Sequence, residues 1–179
     1  MFTLILGPMK SGKSLELLTR MAPYKYTGQQ VLYVQPKSNT RDTGIRSRSG
    51  MNIDAVVVES LRKITDPFDV IGIDEIHMFG TTDVRVIEKW INEDKSLFIS
   101  GLDLDYRGKM PAIVNKLLEL KPDKLIHKLS VCDNCKQFRA QFTQILHNDQ
   151  PVLAGLPTVV PEDGTYQYEA RCRQCFVKA

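Results

Sequence analysis

Gly7-Pro8-Met9-Lys10-Ser11-Gly12-Lys13-Ser14 follows directly on the short, mostly apolar run Phe2-Thr3-Leu4-Ile5-Leu6. The octapeptide matches the phosphate-loop pattern GxxxxGK[ST] in full. Its flanks fit too, with a strand-like run before it and a helical pattern after it. Each residue type has a physical reason to be there. The glycines let the backbone curl, so that the N–H groups of Met9, Lys10 and Ser11, past Pro8, turn toward a phosphate. Lys13 brings a positive charge to the outer phosphates, and Ser14 offers a hydroxyl to Mg²⁺. A helix that starts here adds its positive dipole end. The competing reading is a glycine turn with an adventitious lysine.

A triphosphate loop needs a carboxylate on the metal side. Phe68-Asp-Val-Ile-Gly-Ile-Asp74-Glu75 supplies one. Val70–Ile73 reads as a buried strand with Asp74 at its C-terminal end, the edge of an open α/β sheet where ligands bind. Asp74 is placed to hold Mg²⁺ through a water. Glu75 points to the other side of the chain, where a carboxylate serves as base toward an attacking oxygen. The plainer readings of Glu75 are a surface charge or a helix N-cap partner.

Outward from this pair, strand candidates recur at Phe2–Leu6, Val31–Val34, Ala55–Val58, Val70–Ile73, Leu97–Ile99 and Leu125–Leu129. Several are nearly continuous Val/Ile-rich runs, as in parallel strands covered on both faces. Helical faces fall between them: Leu15, Leu18 and Met21; Val84, Ile87 and Ile91 beside Trp90; Ile113, Leu117 and Leu120. Pro23 should end or kink the first helix. The alternation predicts an α/β domain over residues 1–130, with a mostly parallel sheet flanked by helices. Residues 131–179 carry all four cysteines and read as a smaller second unit. Within it, His147 to Gly164 reads as a long loop.

The chain of 179 residues is 42% apolar and 25% charged, with a formal net charge of +3. That charge is too mild to predict nucleic-acid binding by itself. The basic stretch from Arg41 to Arg48 is read as a solvated loop or a phosphate-facing patch. No apolar run approaches the roughly 20 residues of a membrane span, and no secretory signal is visible. A reducing cytosol is therefore expected, and there paired CxxC spacings suggest metal rather than disulfides. Cys132-Asp-Asn-Cys135 and Cys172-Arg-Gln-Cys175 can each grip half of a tetrahedral Zn²⁺. With four sulfurs no position is left for water, so the site is structural, pinning the base of a long loop. Disulfides or free buried thiols are the competing reading. His127 falls in an apolar strand pattern and reads as structural, and His77 as a neighbour of the Asp-Glu pair. A guanine-reading NKxD motif is not found, since Asn115-Lys116-Leu-Leu lacks the acid.

Taken together, these motifs resemble the thymidine kinase family of the cytosolic, zinc-containing type, collinear over nearly the whole chain. GPMKSGKS resembles the family's GPMFSGKS/T. Ile73-Asp74-Glu75 with Ile-His-Met-Phe79 resembles IDE-x-QFF. Gly101-Leu-Asp103-Leu-Asp-Tyr106-Arg-Gly108 resembles GLDxDFRG. Phe142-Thr143 after the first CxxC, and Tyr168-Glu-Ala-Arg-Cys172-Arg-x-Cys175, also match.

The resemblance implies transfer of the ATP γ-phosphate to the 5′-hydroxyl of thymidine, with deoxyuridine as a further acceptor. It implies a homotetramer in the cytoplasm, with Mg²⁺ and structural Zn²⁺. It implies that the loop between the cysteine pairs closes over the nucleoside like a lasso. Met9, Met78, Leu102, Tyr106, Thr143 and Tyr168 would line the nucleoside pocket, Glu75 would be the base, and Arg41 would sit near the transferring phosphoryl group.

The chain departs from the family at Asn39, where an aspartate is usual, at His77 and Met78, at Lys109-Met110-Pro111, and at Asp163-Gly164. The rival reading from another class is an ATP-dependent nucleic-acid-binding protein with a zinc ribbon.

Overall fold

A computed structural model describes residues 1–39, 44–46, 50, 52–157, 160 and 164–178. The first eight strands in chain order are β1 (Phe2–Leu6), β2 (Val31–Pro36), β3 (Gly44–Arg46), β4 (Asn52–Asp54), β5 (Val56–Val58), β6 (Val70–Ile73), β7 (Ser96–Gly101) and β8 (Lys124–His127). Six of them form one all-parallel sheet in the order β5-β2-β6-β7-β1-β8. Each of the six strand candidates lies in this sheet. β3 and β4 pair separately as an antiparallel hairpin. That hairpin takes in Gly44–Arg46 from the basic stretch, with Ile45 buried, so this part of the stretch is not a solvated loop. Arg41 and Arg48 lie outside the described residues.

Alternation along β1 decides which face each side chain serves. Phe2, Leu4 and Leu6 join Ile71, Ile73, Leu97 and Ile99 in one core, while Ile5 joins Val70 and Phe98 in the other. The first core is roofed by α2 (Val84–Asn92) and α3 (Ala112–Glu119), the second by α1 (Lys13–Met21). Sheet strands buried on both sides have no polar face to show, which is why the runs read as continuous apolar stretches.

The helical faces differ from the expected ones by one position. α1 buries Leu17, Leu18 and Met21 and leaves Leu15 half-buried. α2 buries Val84, Ile87 and Trp90 rather than Ile91. Trp90 is drawn inward by the edge of Phe68, with ring centroids 5.1 Å apart. α1 stops at Met21, and a 3-10 turn over Ala22–Tyr26 carries Pro23 near its start.

After β8 come β9 (Ser130–Val131), β10 (Phe138–Ala140), β11 (Phe142–His147), β12 (Gln150–Pro151) and β13 (Gln167–Arg171). β9 and β10 pair antiparallel, and β11 is flanked by β12 and β13. The expected long loop therefore begins with a hairpin. Its two turn residues, Asn148 and Asp149, have φ of 50° and 60°, the left-handed pair that a tight hairpin needs. Among the described residues no helix is long and apolar enough to cross a membrane.

Candidate active site and metal centre

The ends of β1, β6 and β7 converge at one edge of the sheet. Gly7 leaves β1 pressed against the strand-end segment after β8, and a Cβ there would stand 2.5 Å from the Lys128 carbonyl oxygen. Gly12 has φ of 78°, in the left-handed region, and opens α1 as glycine can at little steric cost. The loop between them is closed by its own hydrogen bonds. Ser11 Oγ and Lys13 Nζ both donate to the Pro8 carbonyl, each at 2.8 Å. Lys13 is only 7% exposed. Its ammonium is thus held inside the loop, where a phosphate oxygen can take the place of that carbonyl.

Asp74 lies at the end of β6 and is 5% exposed. Burial, and then the neighbouring Glu75 charge, push its carboxyl above the ordinary range. Hydrogen bonds from Ser100 and Ser14 and the charge of Lys13 oppose that shift. Ser100 Oγ donates to Asp74 Oδ1 from the neighbouring strand β7. Ser14 and Asp74, the two residues expected on the metal side, thus lie close enough to interact. Ser100 was not anticipated. Its only signal in the sequence was a polar residue near the end of an apolar strand.

Glu75 has φ of 51°, uncommon for a residue with a side chain and frequent at functional sites. Its amide donates to Asp74 Oδ1 at 3.0 Å. Its carboxylate lies beside His77, whose Nδ1 is 3.4 Å from Glu75 Oε2. That approach is not an ion pair when Nδ1 accepts the Leu102 amide at 3.2 Å, because an accepting ring nitrogen carries no proton. His77 therefore holds the backbone of Leu102 beside Glu75.

Tyr106, buried, both donates to the Leu156 carbonyl (2.9 Å) and accepts from the Leu156 amide (3.1 Å). Tyr168 donates to the Val160 carbonyl at 2.9 Å. Both tyrosines thus grip the loop between the cysteine pairs. Thr143 on β11 accepts the Met9 amide at 3.1 Å, which joins that unit to the phosphate loop. Met78 and Leu102 are half-buried near Glu75 in sequence and space. Arg41 and Asp163 lie outside the described residues. Asn39 donates its amide to the Pro36 carbonyl.

Asp103 is a further residue that pattern reading passed over. Its Oδ1 is buried with no hydrogen-bond partner among the described residues. Burial raises its carboxyl above the ordinary range, against its own amide and the charges of Lys13 and His127. Asp103 thus lies within electrostatic reach of Lys13, beside the phosphate loop. His127 itself is exposed at the end of β8, not packed in the core as its apolar neighbours suggested.

All four cysteine sulfurs lie within 4.8 Å of one another, and none is in a disulfide. Cys135 and Cys172 sulfurs are 3.8 Å apart. A tetrahedron with Zn–S bonds of about 2.3 Å has S–S edges of about 3.8 Å, so the cluster has the size that Zn²⁺ requires. Burial raises the Cys132 thiol, but the amides of Cys135, Cys172 and Asn134 outweigh it and hold it at about 6. At Cys175 the Asn134 side chain acts to lower the thiol, but burial and the sulfurs of Cys172, Cys135 and Cys132 push it up to about 11. A thiolate is the form that ligates metal. We expect one Zn²⁺ per chain by metal analysis, and Cys172→Ser should lower both zinc content and melting temperature. A zinc-free protein with four freely titrating thiols in the folded state would refute the assignment.

Comparison with known proteins adds to this geometry. A family profile described as thymidine kinase matches residues 1–176. The thymidine kinase of Mycoplasma capricolum subsp. capricolum is 34% identical over 185 residues, covering 97% of this chain and 87% of that protein. The thymidine kinase of Chloroflexus aurantiacus is 32% identical, covering 98% and 93%. That of Pseudothermotoga lettingae is 27% identical, covering 98% and 94%.

Proposed function

The chain belongs to the thymidine kinase family, and on that premise we propose that it transfers the γ-phosphate of ATP to the 5′-hydroxyl of thymidine, giving dTMP. The observation that carries this reading is the convergence at one sheet edge of Lys13, Ser14, Asp74 and Glu75. Beside them sits a unit whose Thr143 reaches the phosphate loop and whose loop is held by Tyr106 and Tyr168.

In this account the loop amides and Lys13 hold the phosphate chain of ATP. Ser14 and Asp74 would hold Mg²⁺, which neutralises charge on the phosphates when bound. Glu75 accepts the proton of the 5′-hydroxyl as it attacks the γ-phosphorus, and the bond from phosphorus to the bridging oxygen of ADP breaks. Arg41 stabilises the transferring group. Met9, Met78, Leu102, Tyr106, Thr143 and Tyr168 enclose the nucleoside. Residues 131–179 work as a metal-pinned lid over the domain of residues 1–130. Closing it excludes water, which suppresses wasteful hydrolysis of ATP. Deoxyuridine as a second acceptor, a homotetramer and a cytoplasmic location complete the proposal by analogy with the family.

Steady-state ATP consumption, measured with thymidine and with single-stranded DNA in turn, separates this reading from a nucleic-acid-dependent ATPase. We expect saturable stimulation by thymidine and none by DNA. The reverse result would overturn the proposal.

A further inference from the structure

Position 10 is the one place in GPMKSGKS where this chain carries a charge outside the Lys13 pattern. Lys10 Nζ lies 2.8 Å from Asp133 Oδ2, across 123 residues of sequence. Asp133 follows Cys132 directly, inside the metal centre's first CxxC. Its position is fixed from two sides. Its Oδ2 also accepts the Ala170 amide at 2.6 Å, and its own amide donates to the Ala170 carbonyl at 2.8 Å. The carboxylate is therefore mounted on β13 next to Cys172, not on a free loop.

The outer side of the phosphate loop faces a cavity of about 610 Å³ lined by Lys10, Ser11, Gly12, His127, Lys128 and Asp133. Lys10 also has φ of 62°, a left-handed conformation that a residue with a Cβ holds only when its surroundings impose it. Among the described residues, two hydrogen bonds reach the loop from the cysteine-bearing unit: the Met9 amide to Thr143 Oγ1, and Lys10 Nζ to Asp133.

We propose that Asp133 is a positioning residue for the donor nucleotide: by holding Lys10 it braces the phosphate loop, so the first metal knuckle supports ATP binding as well as the lid. This rests on the reading of residues 7–14 as the ATP loop. The ion pair is about one-third exposed, with side-chain exposures of 32% and 26%. Its effect is accordingly moderate, and it is mounted on a rigid partner rather than screened at a free surface. A lysine held this way is not available as a direct phosphate ligand. That gives the brace a sign that a phosphate-binding Lys10 would not share.

Asp133→Asn keeps an acceptor for the Ala170 amide while removing the charge. Lys10→Met keeps the stem and lies outside the cysteine knuckle. Dissociation constants for a non-hydrolysable ATP analogue with Mg²⁺ should be measured on the wild type, both single variants, the double variant and Lys10→Arg, with KM for thymidine and zinc content alongside. Each single substitution should weaken analogue binding about three- to tenfold. The double variant should lose no more than the weaker-binding single, and Lys10→Arg should recover most of the affinity. KM for thymidine should move less than twofold. Tighter analogue binding by Asp133→Asn would show Lys10 to be a phosphate ligand that Asp133 sequesters, and would overturn the brace. Additive losses in the double variant would overturn it as well. A wild type that does not bind the analogue would remove the ATP-loop reading itself.

Discussion

Glu75→Gln should reduce phosphoryl transfer to thymidine by about 10²-fold or more, with thymidine and ATP still bound. The amide keeps the size and hydrogen-bonding reach of the carboxylate but cannot take a proton. A nucleoside 5′-hydroxyl is a poor nucleophile until that proton has somewhere to go. Glu75 has φ of 51° and sits next to Asp74 with different side-chain neighbours. Asp74 faces Ser14 and Ser100, while Glu75 faces His77. Single-turnover rates, with the two ligands' affinities measured separately, check this. Unchanged turnover would remove Glu75 from the mechanism. Lost thymidine affinity at normal turnover would make it a binding residue.

Lys13→Ala should cost on the order of 10²–10³-fold in turnover at saturating ATP, the range seen when one preorganised electrostatic contact to the reacting group is removed. The protein should nevertheless fold. Lys13 is buried, and its ammonium donates to the Pro8 carbonyl within the same loop and lies near the Asp74 and Asp103 carboxyls rather than in core packing. A hydrogen bond from a charged group is worth about 1.5–3 kcal/mol, so the melting temperature should fall by roughly 3–12 °C in a chain of this size. Circular dichroism with a thermal melt beside the kinetic assay separates the two effects. Near wild-type turnover would contradict the role given to the lysine.

The sheet was legible because its strands are short apolar runs with no polar face, and because the phosphate-loop pattern fixes a strand before it and a helix after it. Edges blurred where burial is partial. Leu125–Leu129 was read one residue late at its start and two too far at its end, since β8 is an edge strand with Leu125 exposed. The choice of Trp90 over Ile91 depends on Phe68, which lies in a distant segment. The Asn148-Asp149 turn was hidden in a polar stretch, because β12 is only two residues long.

Motif spacing alone was enough to single out the four cysteines that cluster, and to mark Lys13, Ser14, Asp74 and Glu75 as candidates. It did not mark Ser100, Asp103 or Asp133. Each matters only through a neighbour brought close by the tertiary fold, and nothing in their local sequence separates them from ordinary strand-end or loop polar residues. His127 shows the converse. Its apolar neighbours suggested a packed residue, but the strand ends there and the imidazole faces the cavity beside the phosphate loop.

The central claim is that one phosphoryl group passes from ATP to thymidine. Purified protein incubated with Mg²⁺, thymidine and ATP labelled in the γ-phosphate tests it directly, with products separated and the label located. The account predicts label in dTMP, on the 5′-oxygen, formed in equal amount with ADP and with little free phosphate. Label appearing only as inorganic phosphate, at a rate indifferent to thymidine, would contradict it.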